Sequence, residues 1–409
     1  MREEFDVVIV GGGMVGASLA CALTQTPLRT ALIDTVSADA TSHPSFDERT
    51  VALTYSSRLI FEGLGIWNAV SPQHAYPILR IHVSDRGHSG ITRLDHSLAG
   101  TEALGYVVSN RALGRALYEC VEAHSECHNL SPARATAIDV GGDHARLTVE
   151  SDATSRSIGA KLVVIADGGR SPLTGDLGFN KSLTAYSHVA LVSRVHTDRA
   201  HDGTAYERFT VTGPLALLPI DTKQFALVWT LNEEDAQRLC TTPEVEFIAE
   251  LQNTFGDRAG TFSNPATRHQ YPLAFSNLAD PAQHRVVVIG NAAHSVHPVA
   301  GQGFNLGLRD VAALADTLHE AQRRGSDIGS MPVLDGYCRW RRRDTYAVGV
   351  FTDGLINVFG SRYRPLVALR NLGLTGIELM PPLKRALLRR TMGLHGQRSR
   401  LGLGLRLGD

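Results

Sequence analysis

The sequence predicts an α/β fold with a second, mostly antiparallel sheet inserted into it and a helical C-terminal segment. Three observations point there. The chain opens on a strand, a glycine turn, a helix and a second strand. A middle stretch alternates apolar and polar residues with period two. From Pro332 onward the pattern turns helical and basic.

Residues 5–10 are a short β-branched run stopped by glycines, which predicts a buried strand. A helix over 14–24 and a strand over 30–33 complete a β-α-β unit. Further helices are predicted at 56–64 and 110–123, and strands at 78–83, 145–150 and 161–166. Residues 186–231 contain four alternating strands, HVALVSRVH, TAYERFT, PLALLPI and QFALVWTL, followed by a helix over 243–255. A strand over 285–289 and a long helix over 305–323 return to the α/β style. The expected division is discontinuous: 1–75, 100–180 and 272–345 form one domain, 76–99 and 181–271 the sheet domain, and 346–409 the basic helical end. The glycine-rich GLGLRLG near the C-terminus is expected to fray.

Composition narrows the function classes. Of 409 residues, 43% are apolar and 20% charged, as in an ordinary globular chain. Lys plus Arg is 40 and Asp plus Glu is 41, which argues against a nucleic-acid partner. The balance is uneven, with 14 basic and 4 acidic residues from Arg339 to the end. Such an end suits an anionic surface. Five cysteines without a CxxC pair predict free thiols, and the strand pattern beginning at Phe5 leaves no room for a leader, so a cytoplasmic protein is expected.

Three motifs carry the chemistry. The first is Gly11, Gly13 and Gly16 in a G-x-G-x-x-G between strand and helix, with Asp34 at the end of the next strand. Gly11 allows the tight turn, Gly13 lets the backbone approach a pyrophosphate, and Gly16 lets helix and strand pack closely. The helix N-terminus favours the anion, and Asp34 suits an adenosine ribose. This is a Rossmann-like fingerprint. The second motif delivers Asp167 onto a Gly-Gly-Arg-Ser turn. The third runs from Val286 through Gly290 and Asn291 into HPVAGQGFNLGLRD, a glycine-studded loop feeding a helix. Amides at Gly303, Phe304 and Asn305 are placed to stabilise negative charge. His294 and His297 sit on a turn with no third ligand adjacent, so no metal is expected.

In this order and spacing the motifs resemble those of the class A flavoprotein aromatic hydroxylases, whose type is para-hydroxybenzoate hydroxylase. SFDERTVALTYSS and HPVAGQGFNLGLRD resemble segments of the ubiquinone-biosynthesis hydroxylases within that class. IHVSDRGHSG, ERFTVTGPLALLPI and GNAAH resemble the members that act on 2-polyprenyl-6-methoxyphenol. The resemblance implies a Rossmann-like FAD-binding domain with an inserted substrate sheet. It implies FAD as cofactor, NAD(P)H and O₂ as co-substrates, and hydroxylation para to the phenol through a flavin C4a-hydroperoxide. It assigns Gly11, Gly13, Gly16 and Asp34 to the FAD nucleotide, and Arg49, Arg111 and Asp167 to the surroundings of its phosphates. Asn291 takes the place of the usual ribityl-binding Asp, and Gly301, Gly303, Phe304 and Asn305 face the flavin ring. The carbonyl of Pro298 meets the substrate's phenolic hydroxyl, and His297 is the candidate proton shuttle. Phe209, Leu215, Leu217 and Pro219 are candidates for the apolar substrate pocket. The second motif departs from the family, because Thr174 stands where an arginine is usual. The implied partners are a prenylated phenol substrate and other ubiquinone-pathway proteins. Leu383, Leu387 and Leu388, ringed by Lys384, Arg385, Arg389 and Arg390, form a candidate peripheral membrane element. The rivals on the same residues are a sister hydroxylase acting at another ring position, a flavin reductase or dehydrogenase on the same fold, and a flavin-bearing scaffold that organises partners or lipids.

Overall fold

The computed structural model describes residues 3–37, 45–47, 49–70, 74–151, 154–295, 301–361 and 363–408. Two large sheets and one small one organise it. The first sheet has a parallel centre. Strand β1 (Glu3–Val10) lies between β2 (Thr30–Ile33) and β11 (Thr154–Ile165), with β8 (Cys127–Asn129) and β19 (Val286–Val288) beyond them. Strand β18 (Ala282–Gln283) and the hairpin of β9 (Arg134–Val140) and β10 (Ala145–Ser151) extend it in antiparallel fashion. Alternation along β1 splits the core. Val7 and Ile9 face helices α1 (Met14–Leu23), α3 (Asn110–Glu122) and α7 (Gln302–Arg323), while Val8 and Val10 pack on the other face. Helix α1 is buried from Gly16 to Leu23, which explains its apolar composition.

The second sheet is mostly antiparallel. Its main path runs through β20 (His294–Ser295), β17 (His269–Leu278), β12 (Lys181–Thr197), β15 (Gln224–Asn232), β14 (Gly213–Pro219), β13 (Thr204–Thr210), β5 (Arg80–Asp85) and β6 (Ile91–Asp95). Strand β16 (Phe262–Ser263) pairs β12 at the side. Helices α5 (Glu233–Thr241) and α6 (Glu244–Phe255) cover one face. The small third sheet joins β3 (Thr50–Thr54), β7 (Gly105–Ser109) and β4 (Ala75–Ile78). The single strand expected at 78–83 is therefore two strands in two sheets, split at Leu79.

Helix α2 (Tyr55–Gly63) follows β3, capped by the Thr54 hydroxyl, which accepts from the Ser57 amide at 3.3 Å. The short α4 (Leu173–Asp176) follows the Asp167 turn. The C-terminal region is helical as expected: α8 (Met331–Gly360), α9 (Arg364–Leu379) and α10 (Pro381–Thr391). Two expectations fail. The glycine-rich end does not fray, because Leu401 and Leu407 are fully buried in the core and the Leu405 carbonyl lies close to Gly63 of α2. Cys21 and Cys120 are not free. Packing of α1 against α3 brings their Cα atoms to 5.9 Å, and they form a disulfide bond.

Candidate active site

One continuous cavity of about 740 Å³ runs from the glycine turn after β1 to the inner faces of α8, α9 and α10. Its two ends are built differently.

At the first end the wall is largely backbone. Gly11 has φ +108°, and a Cβ there would lie 2.7 Å from the Ala166 carbonyl group. A Cβ on Gly16 would lie 1.8 Å from the Gly11 oxygen, so this glycine sets the helix–strand approach from behind the cavity wall. Gly13 caps α1 with no side-chain hydrogen bond, and no acidic residue occupies the first turn. Among the described residues, a Cβ on Gly13 would meet Ser45, at 3.3 Å for the nearest atom. The helix start thus offers amides and dipole to an anion in the cavity. Asp34 stands at the end of β2, where its Oδ2 accepts from the Gly12 amide at 2.5 Å and its Oδ1 from the Val36 amide at 2.9 Å. Tyr118 donates to the Gly12 carbonyl at 3.0 Å, and burial holds its phenol well above the usual range. These features fit an adenine dinucleotide.

Asp167, Asn291, Gly301, Gly303 and Phe304 also line this end. Asp167 spends its carboxylate on its own turn, accepting from the Gly169 amide at 2.8 Å, the Ser171 amide at 3.1 Å and the Ser171 hydroxyl. Gly301, at φ +61°, starts α7. The Asn305 side chain has a structural task of its own. Its side chain is fully buried and absent from the cavity wall. Its Oδ1 accepts from the Thr54 amide at 2.8 Å, and its Nδ2 donates to the carbonyls of Ala52 and Gly301 at 2.8 and 2.6 Å. Asn305 clamps β3 to the start of α7. Two arginines also lie off the wall. Arg49 pairs with Asp47 at 2.5 Å and lies over the Tyr271 ring, and Arg111 is exposed on the first turn of α3. His297 and Pro298 lie outside the described residues. Arg170 and Gln302 line the cavity and went unassigned in the sequence; only their places inside the second and third motifs could have marked them.

A buried charge network holds the Asn291 turn in place. Asp310 of α7 accepts from the Gly290 amide at 3.0 Å, from His294 at 2.5 Å and from Arg341 of α8 at 2.7 Å. Asp344 joins Arg341 to Arg309. Burial opposes the charge on Asp310, yet His294 and Arg341 overcome it and hold the carboxyl well below the usual range.

At the second end the wall is side chains on alternate strand positions. Ala205, Glu207 and Phe209 of β13, Ala216 and Leu218 of β14, Val228 of β15, Ile81 and Val83 of β5, and Thr92 and Leu94 of β6 face the cavity. Leu215 and Leu217 point the other way, into the core under α5 and α6, and Pro219 is likewise off the wall. The expectation had the right strand but the wrong parity, because both faces of β14 are apolar. Phe209 does line the cavity, and its ring stacks on Phe359 of α8 at 3.8 Å. Helices α9 and α10 close the end with Leu374, Ile377, Leu387 and Met392. Arg370 also lines it, bonded to Asp85 of β5 at 2.8 and 3.2 Å.

A dinucleotide cradle that opens onto an apolar chamber is the layout of a dinucleotide-dependent enzyme with an apolar substrate. A family model described as "FAD binding domain" matches residues 4–346, and the chain belongs to that family. It is similar to the ubiquinone hydroxylase UbiL of Rhodospirillum rubrum, with 36% identity over 95% of this chain and 89% of that one. It is also similar to the 3-demethoxyubiquinol 3-hydroxylase of Escherichia coli, with 31% identity over 96% of this chain and all of that one. Among solved structures, the p-nitrophenol 4-monooxygenase PnpA of Pseudomonas putida shares the fold at TM-score 0.80 and 20% identity, covering 97% of this chain and all of that one. The chain is an FAD-dependent monooxygenase of the aromatic-hydroxylase type, with NAD(P)H and O₂ as co-substrates.

Proposed function

We propose that the protein hydroxylates the ring of a 2-polyprenyl-6-methoxyphenol, para to its phenol, in ubiquinone biosynthesis. The observation that carries this reading is the apolar chamber continuous with the dinucleotide cradle. Bound FAD would supply the activation of O₂ and its transfer to an electron-rich ring. The chain's own residues bind, orient and exclude water. Gly11, Gly13 and the start of α1 would hold the pyrophosphate and Asp34 the ribose, with Asn291 and the Gly301–Phe304 turn toward the ring system. Val83, Phe209, Ala216, Leu218, Val228 and Leu374 would keep the reacting ring dry, which protects a reactive oxygen donor from hydrolysis.

A second reading, attack at another ring position, is favoured by the similarity to a relative named as a 3-hydroxylase. The test is reconstitution with FAD, NAD(P)H and a short-chain prenyl methoxyphenol, with the product mapped by mass spectrometry and NMR. Hydroxylation para to the phenol is expected; oxygen at another position selects the second reading. NAD(P)H oxidation without incorporated oxygen overturns both. Gly13→Val, which puts a branched side chain into the cradle, should yield colourless protein, and normal flavin absorbance would contradict the assignment.

The lipid tail needs a route to a protein in which, among the described residues, no helix is long and apolar enough to cross a membrane. Leu387 and Leu388 of α10 turn inward, so they do not belong to an outer face. The outward apolar residues are Leu369, Leu372 and Leu379 of α9, with Met380 and Leu383, beside Arg364, Arg385, Arg389 and Arg390. This mixture suits the surface of an anionic bilayer next to the helices that close the chamber. Leu379→Glu with Leu383→Glu should reduce sedimentation with anionic liposomes and leave flavin content intact; unchanged binding would remove this element.

A further inference from the structure

Five residues from five adjacent strands form one transverse row on the cavity face of the second sheet. Thr92 of β6 pairs with Val83 of β5, Val83 with Glu207 of β13, Glu207 with Ala216 of β14, and Ala216 with Val228 of β15. All five line the cavity. Three are aliphatic, and the Thr92 hydroxyl already donates to the Leu374 carbonyl at 2.8 Å. Glu207 is the exception. Its Oε1 is shut from solvent and has no hydrogen-bond partner among the described residues. A buried acceptor left in this state costs free energy unless a ligand completes it.

We propose that Glu207 is the hydrogen-bond and proton acceptor for the phenolic hydroxyl of an uncharged aromatic substrate seated against this row. The proposal rests on the hydroxylase reading and names the substrate class for it. The electrostatics agree with the geometry. Desolvation by burial pushes the Glu207 carboxyl up from 4.5 to about 7, so it can exchange a proton near neutrality. No neighbouring charge contributes to that shift. Arg208, next along β13, donates to the Ser84 hydroxyl of β5 and to the Thr254 carbonyl in the last turn of α6. From α9, Arg370 faces the chamber but is tied to Asp85 of β5. Strands β6, β14 and β15 present Thr92, Ala216 and Val228 to it. At the cofactor end the charged groups on the wall, among the described residues, are Asp34, Asp167 and Arg170.

The step balances within the pair. The phenolic O–H bond breaks, its electrons stay on the oxygen, and a new O–H bond forms on Glu207. The phenolate so formed is a better ring nucleophile, and the proton returns to the product oxygen on release. A substrate bearing a ring carboxylate would bring a second negative charge beside Glu207 in an apolar chamber, so neutral phenols are preferred over phenolic acids.

The test uses the FAD-loaded full chain and its variants Glu207→Gln and Glu207→Asp. Flavin content checks that each variant folds. Binding of 2-methoxyphenol is followed by perturbation of the flavin spectrum across neutral pH, and ionisation of bound 4-nitrophenol by the visible absorbance of its phenolate. Wild-type affinity should rise with pH through about 7. Glu207→Gln should bind about tenfold more weakly, without the inflection and without ionising the nitrophenol. Glu207→Asp should keep an inflection at reduced affinity. A flavin-replete Glu207→Gln with wild-type affinity and pH profile overturns the proposal, as does wild-type protein that binds neither phenol. Wild-type protein that binds and ionises the probe yet never oxygenates it would sink the hydroxylase reading and leave Glu207 standing.

Discussion

The two ends of the cavity reach precision by opposite means. The cofactor end is backbone held by buried charge: glycines at Gly11, Gly13 and Gly16, a bare helix start, and Asp310 pinning the Gly290 turn to α8. The sheet end is apolar side chain on rigid strands, with one carboxylate, Glu207, whose buried Oε1 has no hydrogen-bond partner among the described residues. A backbone site tolerates almost no substitution at its turns, whereas a side-chain wall can be reshaped residue by residue. The comparison teaches where binding and selectivity sit. On the proposed reading, the first end would hold the cofactor and the second would select the substrate.

The largest effect should come from breaking the charge network behind the cofactor end. Asp310→Ala leaves the buried Arg341 with Asp344 as its remaining carboxylate partner, and removes the acceptor of His294 and of the Gly290 amide. A loss of about 3–5 kcal/mol in urea unfolding is expected, with flavin lost as the turn loosens. Retained flavin and stability would show that the turn is held by its backbone alone.

Next in size is a pair that separates the two faces of β14. Leu217→Ala opens a void under α5 and α6 and should cost about 2–5 kcal/mol, while KM for the phenol stays unchanged. Ala216→Trp should do the reverse, filling the chamber and abolishing phenol binding with flavin content preserved. A KM change in Leu217→Ala would undo the assignment of faces.

How much of this was legible in the sequence follows the same division. The cradle was readable because turn chemistry is local: Gly11 needs a positive φ, Gly16 needs a missing Cβ, and Asp34 ends the neighbouring strand. The parity of β14 was not, since PLALLP is apolar at every position and gives no period to read. Glu207 was visible only as one acid in TAYERFT, and its isolation emerges when the consecutive strands β13, β14 and β15 pair with the distant β5 and β6. Asn305 was found through its motif, but its side-chain clamp to Ala52 and Thr54 was not legible, because it crosses some 250 residues. The docked end near Leu407 escaped notice because glycine content signals flexibility unless the partner surface, here Gly63, is known.

The smallest expected effect is a pH slope that only the sheet end should show. Glu207 binds its proton more tightly folded than unfolded, with the carboxyl raised from 4.5 to about 7 by burial. Between those values the native state holds more protons than the unfolded chain, so stability must fall as pH rises. The contribution is whole below the unfolded value and gone once pH passes the folded one. Asp310 runs the other way: its carboxyl is depressed, so its contribution is present at neutral pH and fades only on acidification. Comparing wild type with Glu207→Gln isolates the first slope, because every other group cancels. The difference in unfolding free energy should be flat at acid pH, turn against wild type from about 4.5 upward and level off above about 7. A difference that stays constant across that window would mean that water, not apolar wall, surrounds the carboxylate, and the contrast between the two ends of the cavity would lose its electrostatic half.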